Sequence, residues 1–247
     1  MKEKLYTIPL QDAINVKTEC PFCYIEQKIE TDALDFVLGT SASYMERDVR
    51  AVTDEKGFCR RHFQKMFEYG NSLGNGWILK THYMRKMKEL QEAFCDNGGG
   101  ISRKRTFLSK GMGKKEGSSN PVVTFAKKEQ ESCYICEQMN KDYRRYLETF
   151  VYLYTNEKDF HEKILESKGF CVKHLGDLCE TADAHMKAQE LTSFYSEIEE
   201  LMMRNLERTF GDISWLIEKY DYRNREADWK QSKDAVPRAM QKLKGTF

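Results

Sequence analysis

The chain has 247 residues, of which 40% are hydrophobic and 12% aromatic, enough apolar material for one large domain or two ordinary ones. Its 40 Lys and Arg side chains almost balance 39 Asp and Glu, and the formal net charge of +1 excludes a global field that attracts nucleic acid or anionic membranes. No stretch approaches the roughly 20 apolar residues that cross a bilayer, and the first residues lack the apolar run of a secretion signal.

We therefore expect a cytoplasmic protein that makes no membrane contact. In a reducing compartment its eight cysteines are expected to be metal ligands or redox thiols and not structural disulfides.

The first part of the chain predicts an extended lead-in followed by helices. In residues 1–19, apolar side chains flank Pro9, which favours an extended segment packed on the body. From Cys20 onward the apolar residues recur every three or four positions, which is typical of amphipathic helices. Such runs predict a helix that ends at Gly39, a second near 43–53, a third from Cys59 and a fourth through Phe94.

Residues 96–131 differ in kind from the flanking segments. Glycine, serine and proline break every hydrophobic period there, and eight Lys or Arg residues accompany four acidic ones. We interpret this segment as a flexible basic linker between an N-terminal half, 1–95, and a C-terminal half, 132–247. A weaker alternative is a nucleic-acid-binding arm, whose contacts would come from Arg103, Lys104, Arg105, Lys110, Lys114 and Lys115.

The second half repeats the helical plan and ends in a long amphipathic helix. Apolar residues keep a spacing of three and four from Tyr195 to Tyr220, with a potential break at Gly211, and a last helix is predicted over 232–244. No series of alternating strands occurs, so the predicted fold class is all-α, built from two related helical halves. The long helix predicts a protein partner or self-association through its apolar face.

One short unit occurs twice and indicates metal binding. A Cys-x-x-Cys pair is followed by Lys-Gly-Phe-Cys-x-x-His, with 35 or 34 residues between the second and third cysteines, and each copy supplies three thiols and one imidazole. The candidate ligands are Cys20, Cys23, Cys59 and His62 in the first half, and Cys133, Cys136, Cys171 and His174 in the second. Cys95 and Cys179 have no counterparts and are interpreted as ordinary thiols.

The spacing also predicts how the ligands are presented. Residues i and i+3 share one face of a helix, so each pair of ligands is expected in a first helical turn, where backbone N–H groups favour thiolate. Glycine two residues before the third ligand allows a sharp turn. We expect two helix N-termini to converge on one ion in each half, although a Cys-x-x-Cys of one half could instead pair with the Cys-x-x-His of the other.

Four protein ligands favour structural zinc, with two ions per chain. A [4Fe–4S] cluster would use the same residues, and a dithiol redox protein is a further alternative, since Cys20-Pro21-Phe22-Cys23 resembles a glutaredoxin dithiol. No nucleophile elbow, kinase motif or metalloprotease motif occurs, so an interaction or regulatory module is favoured over an enzyme.

Several segments together resemble one uncharacterised bacterial family, the domain of unknown function 6062 (DUF6062). They are the opening Met1-Lys2-Glu3-Lys4-Leu5-Tyr6-Thr7-Ile8-Pro9-Leu10, the Cys-x-x-Cys units, the doubled Gly-Phe-Cys-x-x-His and the closing Ala235-Val236-Pro237-Arg238-Ala239. The resemblance spans nearly the whole chain and implies a cytosolic helical protein. It implies no activity, substrate or catalytic residue.

Overall fold

The computed structural model describes residues 4–96 and 120–245, and within these ranges the chain forms α-helices and no strand. The fold class predicted from the sequence, all-α, is therefore confirmed for this part of the chain. The helices are α1 (Lys4–Asn15), α2 (Pro21–Leu38), α3 (Arg47–Lys56), α4 (Arg60–Glu68), α5 (Ser72–Asp96), α6 (Pro121–Glu131), α7 (Tyr134–Asn156), α8 (Lys158–Leu165), α9 (Val172–His185), α10 (Ala188–Lys219) and α11 (Ala235–Lys244).

The chain divides into two compact units. Unit 1 combines Met1–Ile29 with Asn140–Phe247, and unit 2 is Glu30–Met139. These units do not coincide with the predicted halves, 1–95 and 132–247, because unit 1 takes its residues from both ends of the chain. The internal duplication stays a prediction.

Unit 1 is built around four phenylalanines that are almost completely buried. Phe22 lies 5.6 Å from Phe150 and 6.1 Å from Phe170 between ring centroids, and Phe150 lies 5.7 Å from Phe170. Phe194 of α10 is the fourth. Because Phe22 stands between Cys20 and Cys23 and Phe170 precedes Cys171, burial of these rings brings the two ligand-bearing loops of unit 1 into one core.

Unit 2 has its own hydrophobic cluster, in which aromatic residues next to the cysteines are again buried. Phe58, which precedes Cys59, packs edge-on against Phe63 at 5.5 Å and against Tyr134 at 6.3 Å. Leu38, Ile78 and other buried side chains complete this cluster. The aromatic residue beside each cysteine thus anchors the ligand loop in the core of its own unit.

The predicted extended lead-in is wrong, because residues Lys4–Asn15 form helix α1 with Pro9 inside it. Leu10, Ala13 and Ile14 are buried at a helical spacing of three and four. Their burial outweighs the one backbone hydrogen bond that a proline within a helix removes.

The predicted linker, 96–131, is also wrong over its last part. Pro121–Glu131 forms α6, which begins with Asn120 accepting a hydrogen bond from the N–H of Val122 at 2.9 Å. Proline at the first helical position costs no hydrogen bond, so this proline starts a helix here. Residues 97–119, including the six basic residues of the nucleic-acid alternative, lie outside the described residues.

Helix α10 is continuous from Ala188 to Lys219, without a break at Gly211. Among the described helices, none combines the length and the apolar character that a membrane span requires.

Candidate metal centres

The structure gathers all eight candidate ligands into two quartets. Site 1 consists of Cys20, Cys23, Cys171 and His174, and site 2 consists of Cys59, His62, Cys133 and Cys136. Within each quartet the ligand atoms all lie within 4.8 Å of one another. Site 1 lies wholly in unit 1 and site 2 wholly in unit 2.

The expected grouping within each half of the sequence is wrong, and the crossed alternative is what the structure shows. Each Cys-x-x-Cys meets the Cys-x-x-His of the other half. Core packing explains this pairing, because Phe22 packs on Phe170 in unit 1 and Phe58 packs on Tyr134 in unit 2. In site 2 the N–H of Tyr134 also donates a hydrogen bond to the carbonyl of Gly57 at 2.9 Å, which joins the two loops directly.

Helix N-termini present every ligand. Cys59 and Cys171 are the extended residues that immediately precede α4 and α9, and the histidine three positions later lies in the first turn. Cys20 and Cys133 likewise precede α2 and α7. The N–H groups of a first helical turn have no partner within the helix, and their positive end favours thiolate sulfur.

The two glycines at matching positions of the Lys-Gly-Phe-Cys segments adopt a backbone conformation that other residues rarely take. Gly57 has φ 61° and Gly169 has φ 72°. Each therefore turns the chain between one helix and the cysteine that begins the next, as the sequence predicts.

Site 1 is closed to solvent on all sides. Nδ1 of His174 lies 3.2 Å from the sulfurs of Cys20 and Cys171 and 3.5 Å from that of Cys23. The sulfurs of Cys23 and Cys171 are 3.8 Å apart. None of the four residues is more than 1% exposed.

Site 2 has the same geometry but a different exposure. Nδ1 of His62 lies 3.3 Å from the sulfurs of Cys59 and Cys136 and 3.2 Å from that of Cys133. The sulfurs of Cys59 and Cys136 are 3.8 Å apart. Cys133 and His62 are buried, whereas Cys59 and Cys136 are partly exposed.

These separations fit a tetrahedral ion. With metal–sulfur bonds of about 2.3 Å, the edge between two sulfurs of a tetrahedron measures about 3.8 Å. A disulfide would bring the sulfurs to about 2.05 Å, and all eight cysteines are free. Each quartet therefore has the donor set and the spacing to hold one metal ion.

Glutamates of α2 contact both imidazoles on the side away from the sulfurs. Nε2 of His62 is hydrogen-bonded to Glu30 at 3.1 Å. Nε2 of His174 lies 3.0 Å from a carboxylate oxygen of Glu26, without the alignment of a hydrogen bond. A carboxylate in this position would hold the ring so that Nδ1 faces a bound metal ion. Neither glutamate is predicted from the sequence, although both follow Cys23 at helical spacings of three and seven.

The thiols of site 1 resist ionising together. Hydrogen bonds with Cys171 and Cys20 hold the pKa of Cys23 well below its usual range, whereas burial raises the pKa of Cys20, and the neighbouring thiols raise it further. Burial opposes the charged form of His174, but contacts with Cys171, Cys23 and Glu26 raise its pKa to about 11. A bound dication would compensate the repulsion between the thiolates. Three thiolates and one imidazole are therefore a donor set that suits a doubly charged metal ion.

The thiols of site 2 divide in the same way, whereas the pKa values of the two imidazoles shift in opposite directions. Burial opposes ionisation of Cys59, yet the N–H of His62 and the neighbouring thiols lower the pKa of Cys59. Burial raises the pKa of Cys133, and burial together with the charge of Cys133 raises the pKa of Cys136 to about 12. Burial lowers the pKa of His62 although Glu30 opposes the shift, and this direction favours the neutral imidazole that metal binding requires.

The lysine of each Lys-Gly-Phe-Cys segment forms an ion pair with a glutamate beside the opposite Cys-x-x-Cys. Lys56 contacts Glu137, which follows Cys136, and Nζ of Lys168 lies 3.3 Å from Glu19, which precedes Cys20. These pairs join the two loops of each site.

Around site 1 the ion pair extends into a buried network. Glu19 is buried and also contacts Arg208 at 2.6 Å and Lys242 at 3.5 Å. Burial alone would raise the pKa of Glu19, but the hydrogen bond from Arg208 and the positive charges around it hold that pKa below its usual range. Lys242 of α11 donates hydrogen bonds to the carbonyls of Glu19, at 2.6 Å, and Lys168.

The two remaining cysteines and two further histidines lie outside the quartets. Cys95 is exposed and Cys179 is partly exposed, and neither belongs to a metal-binding group. His82 contacts the carbonyl of Asp54 at 3.0 Å, and His161 contacts Glu197 at 2.9 Å.

Comparison with known proteins identifies one family. A family model described as a family of unknown function, DUF6062, matches residues 1–247. No curated protein and no solved structure matches the chain.

Proposed function

The chain belongs to the family of unknown function DUF6062, and we propose that it is a cytosolic zinc protein whose two ions are structural. The observation that carries this proposal is the gathering of three sulfurs and one imidazole nitrogen within 4.8 Å at each of two sites. Zinc prefers this donor set and this tetrahedral spacing. A reducing cytosol would keep the thiols available as ligands.

The spacing supports a single ion over an iron–sulfur cluster. In a [4Fe–4S] cluster each ligand binds a different iron, and the body of the cluster holds the ligand atoms apart. A separation of 3.8 Å between two sulfurs instead suits binding to one shared central atom.

The number of ligands supports a structural role over catalysis. Each quartet fills all four tetrahedral positions with protein atoms, so a bound ion keeps no open position for substrate. The ion would join two helix N-termini per site, and its binding energy would become folding energy.

Elemental analysis of anaerobically purified protein tests this proposal. We expect about two zinc atoms and no iron per chain, because the chain offers two complete quartets. A brown protein with stoichiometric iron would favour the cluster alternative. Protein without metal whose thiols cycle with dithiothreitol, independently of chelator, would favour the dithiol alternative.

We further propose that α10 mediates association with a second copy of the chain. Met203, Phe210 and Ile217 are spaced by seven residues and are 51%, 71% and 68% exposed. Leu206, Ile213 and the exposed Tyr220 each lie three residues after one of these side chains, so the apolar residues alternate between spacings of three and four. This spacing is typical of the apolar seam of a coiled coil, which would be complementary to a second copy of itself.

The exposed area supports a dimer. The four most exposed side chains of this seam, Met203, Phe210, Ile217 and Tyr220, present on the order of 500 Å². A standard interface buries about 800 Å² per partner, and the polar flanks of α10 would supply the remainder.

Light scattering after size exclusion tests the dimer. We expect about twice the chain mass of 29.1 kDa for the natural sequence and one chain mass for the double variant Phe210→Ser, Ile217→Ser. Glu218→Ser on the same helix is the control, because Glu218 is exposed and outside the seam. A monomer at every concentration, or a dimer that survives the double variant, would refute the proposal.

A further inference from the structure

The two candidate metal sites differ in the exposure of their cysteine residues. Every ligand of site 1 is at most 1% exposed. In site 2, Cys59 and Cys136 are partly exposed and only Cys133 and His62 are buried. Reactive cysteines need access as well as thiolate character, and metal-bound sulfur is already thiolate.

Helix α11 accounts for the closure of site 1. A Cβ placed on Gly245, which follows α11, would lie 3.7 Å from the sulfurs of both Cys23 and Cys171. Lys242, one turn earlier, holds α11 in place by donating hydrogen bonds to the carbonyls of Glu19 and Lys168 on the two ligand loops. Lys242 is itself only 1% exposed.

We propose that site 2 is an oxidisable zinc site, in which Cys59 and Cys136 form a reversible disulfide that releases the ion while site 1 keeps its own. This inference rests on the proposed zinc binding. The inference adds a regulatory modification of site 2 to the structural role that is proposed for both sites.

The reaction balances with a peroxide as the oxidant. One hydrogen peroxide accepts two electrons from the thiolates of Cys59 and Cys136 and two protons from solvent. Its O–O bond breaks to give two waters, and one S–S bond forms. Cys133 and His62 alone then remain as ligands, too few to retain Zn²⁺ against a chelator, and a thiol reductant reverses the change.

Geometry selects this pair of cysteines. The sulfurs of Cys59 and Cys136 are 3.8 Å apart and must approach by about 2 Å to bond. In site 1 the sulfurs of Cys23 and Cys171 are also 3.8 Å apart, but burial beneath α11 shields both from peroxide. Site 1 is therefore an internal control with the same ligands and the same spacing.

The test treats the full-length, zinc-loaded protein with hydrogen peroxide and measures released zinc with a chromophoric chelator. We expect about one of two zinc equivalents to leave, and peptide mapping to find a disulfide between Cys59 and Cys136. Dithiothreitol and zinc should restore the starting metal content. Release of both ions at one rate, release of neither, or a disulfide between Cys23 and Cys171 would overturn the proposal.

Alkylation of the natural sequence provides a second measurement that needs no variant. Iodoacetamide should modify Cys59 and Cys136 about tenfold or more faster than Cys23 and Cys171, because access limits the reaction. Equal rates would count against the proposal. Metal analysis before oxidation separates the two claims: two ions per chain with no selective release contradicts only the oxidisable site, whereas no bound zinc contradicts the proposed function as well.

Discussion

At the scale of single residues, each imidazole has two contacts that together define its orientation. Nδ1 faces the sulfurs, and Nε2 faces a glutamate of α2, which is Glu30 for His62 and Glu26 for His174. Carboxylates of this kind fix the tautomer and increase the basicity of a metal-binding histidine. They should therefore contribute to metal affinity although they do not touch the ion.

Replacing Glu30 tests this contribution. Glu30→Ala should weaken zinc binding at site 2 by about 10- to 100-fold, because His62 loses the acceptor that orients its ring. Competition with a chelator of known affinity measures the change, and site 1 serves as the unchanged reference. Asp32→Ala is the matched control, since Asp32 is exposed on the same helix. Equal zinc affinity in both variants would contradict a role for Glu30.

At the scale of elements, the sequence predicts the helices that start at the ligands but not the pairing of their loops. The first-turn position of His62 and His174 and the turns at Gly57 and Gly169 follow from local spacing and glycine chemistry. Pairing is not local, because both Cys-x-x-Cys units offer the same donors to either Cys-x-x-His.

What decides the pairing is tertiary packing. Phe22 packs on Phe170, and Phe58 packs on Tyr134, and no periodicity in the sequence reports which aromatic rings meet. Helix α1 was missed for a related reason. Pro9 is a strong local signal, and it was outweighed by the burial of Leu10 and Ala13.

The turn before Cys59 provides a test of backbone strain. Gly57→Ala should lower the free energy of unfolding by about 1–3 kcal/mol, because φ is 61° and the new Cβ would lie 2.7 Å from the ring of His82. Gly76→Ala in α5 is the control, because a Cβ there meets nothing within 4 Å. Helix propensity predicts a neutral or slightly stabilising effect for the control. Denaturant unfolding measures both, and equal effects would contradict the strained turn.

A second test at this scale asks whether α11 limits solvent access to the cysteines of site 1. Lys242→Ala removes the hydrogen bonds to the carbonyls of Glu19 and Lys168, so alkylation of Cys23 and Cys171 should become several-fold faster. The rates of Cys59 and Cys136 should not change. Lys244→Ala on the same helix is the matched control, because Lys244 is exposed. If both variants leave Cys23 and Cys171 as protected as before, α11 does not limit access to site 1.

At the scale of the whole molecule, each metal site belongs to one compact unit. Site 1 draws all of its ligands from unit 1, although they are about 150 residues apart in sequence. Site 2 draws all of its ligands from unit 2. This division predicts that the two ions can be lost separately.

Cys171→Ser tests that separation. Zinc content should fall from about two atoms per chain to about one, because site 1 loses a ligand and site 2 keeps all four. Structural zinc contributes on the order of 10 kcal/mol, comparable with a domain's whole stability of about 5–15 kcal/mol, so unit 1 should lose its cooperative unfolding transition. Elemental analysis and thermal unfolding followed by circular dichroism measure these effects.

The control for this variant is Cys179→Ser, because Cys179 lies on α9 with His174 but belongs to neither quartet. It should keep both zinc atoms and a cooperative transition. Unchanged zinc content and melting temperature in Cys171→Ser would show that site 1 holds no ion. Loss of both ions from Cys171→Ser, with two retained in Cys179→Ser, would show instead that site 2 cannot hold its ion once site 1 is broken.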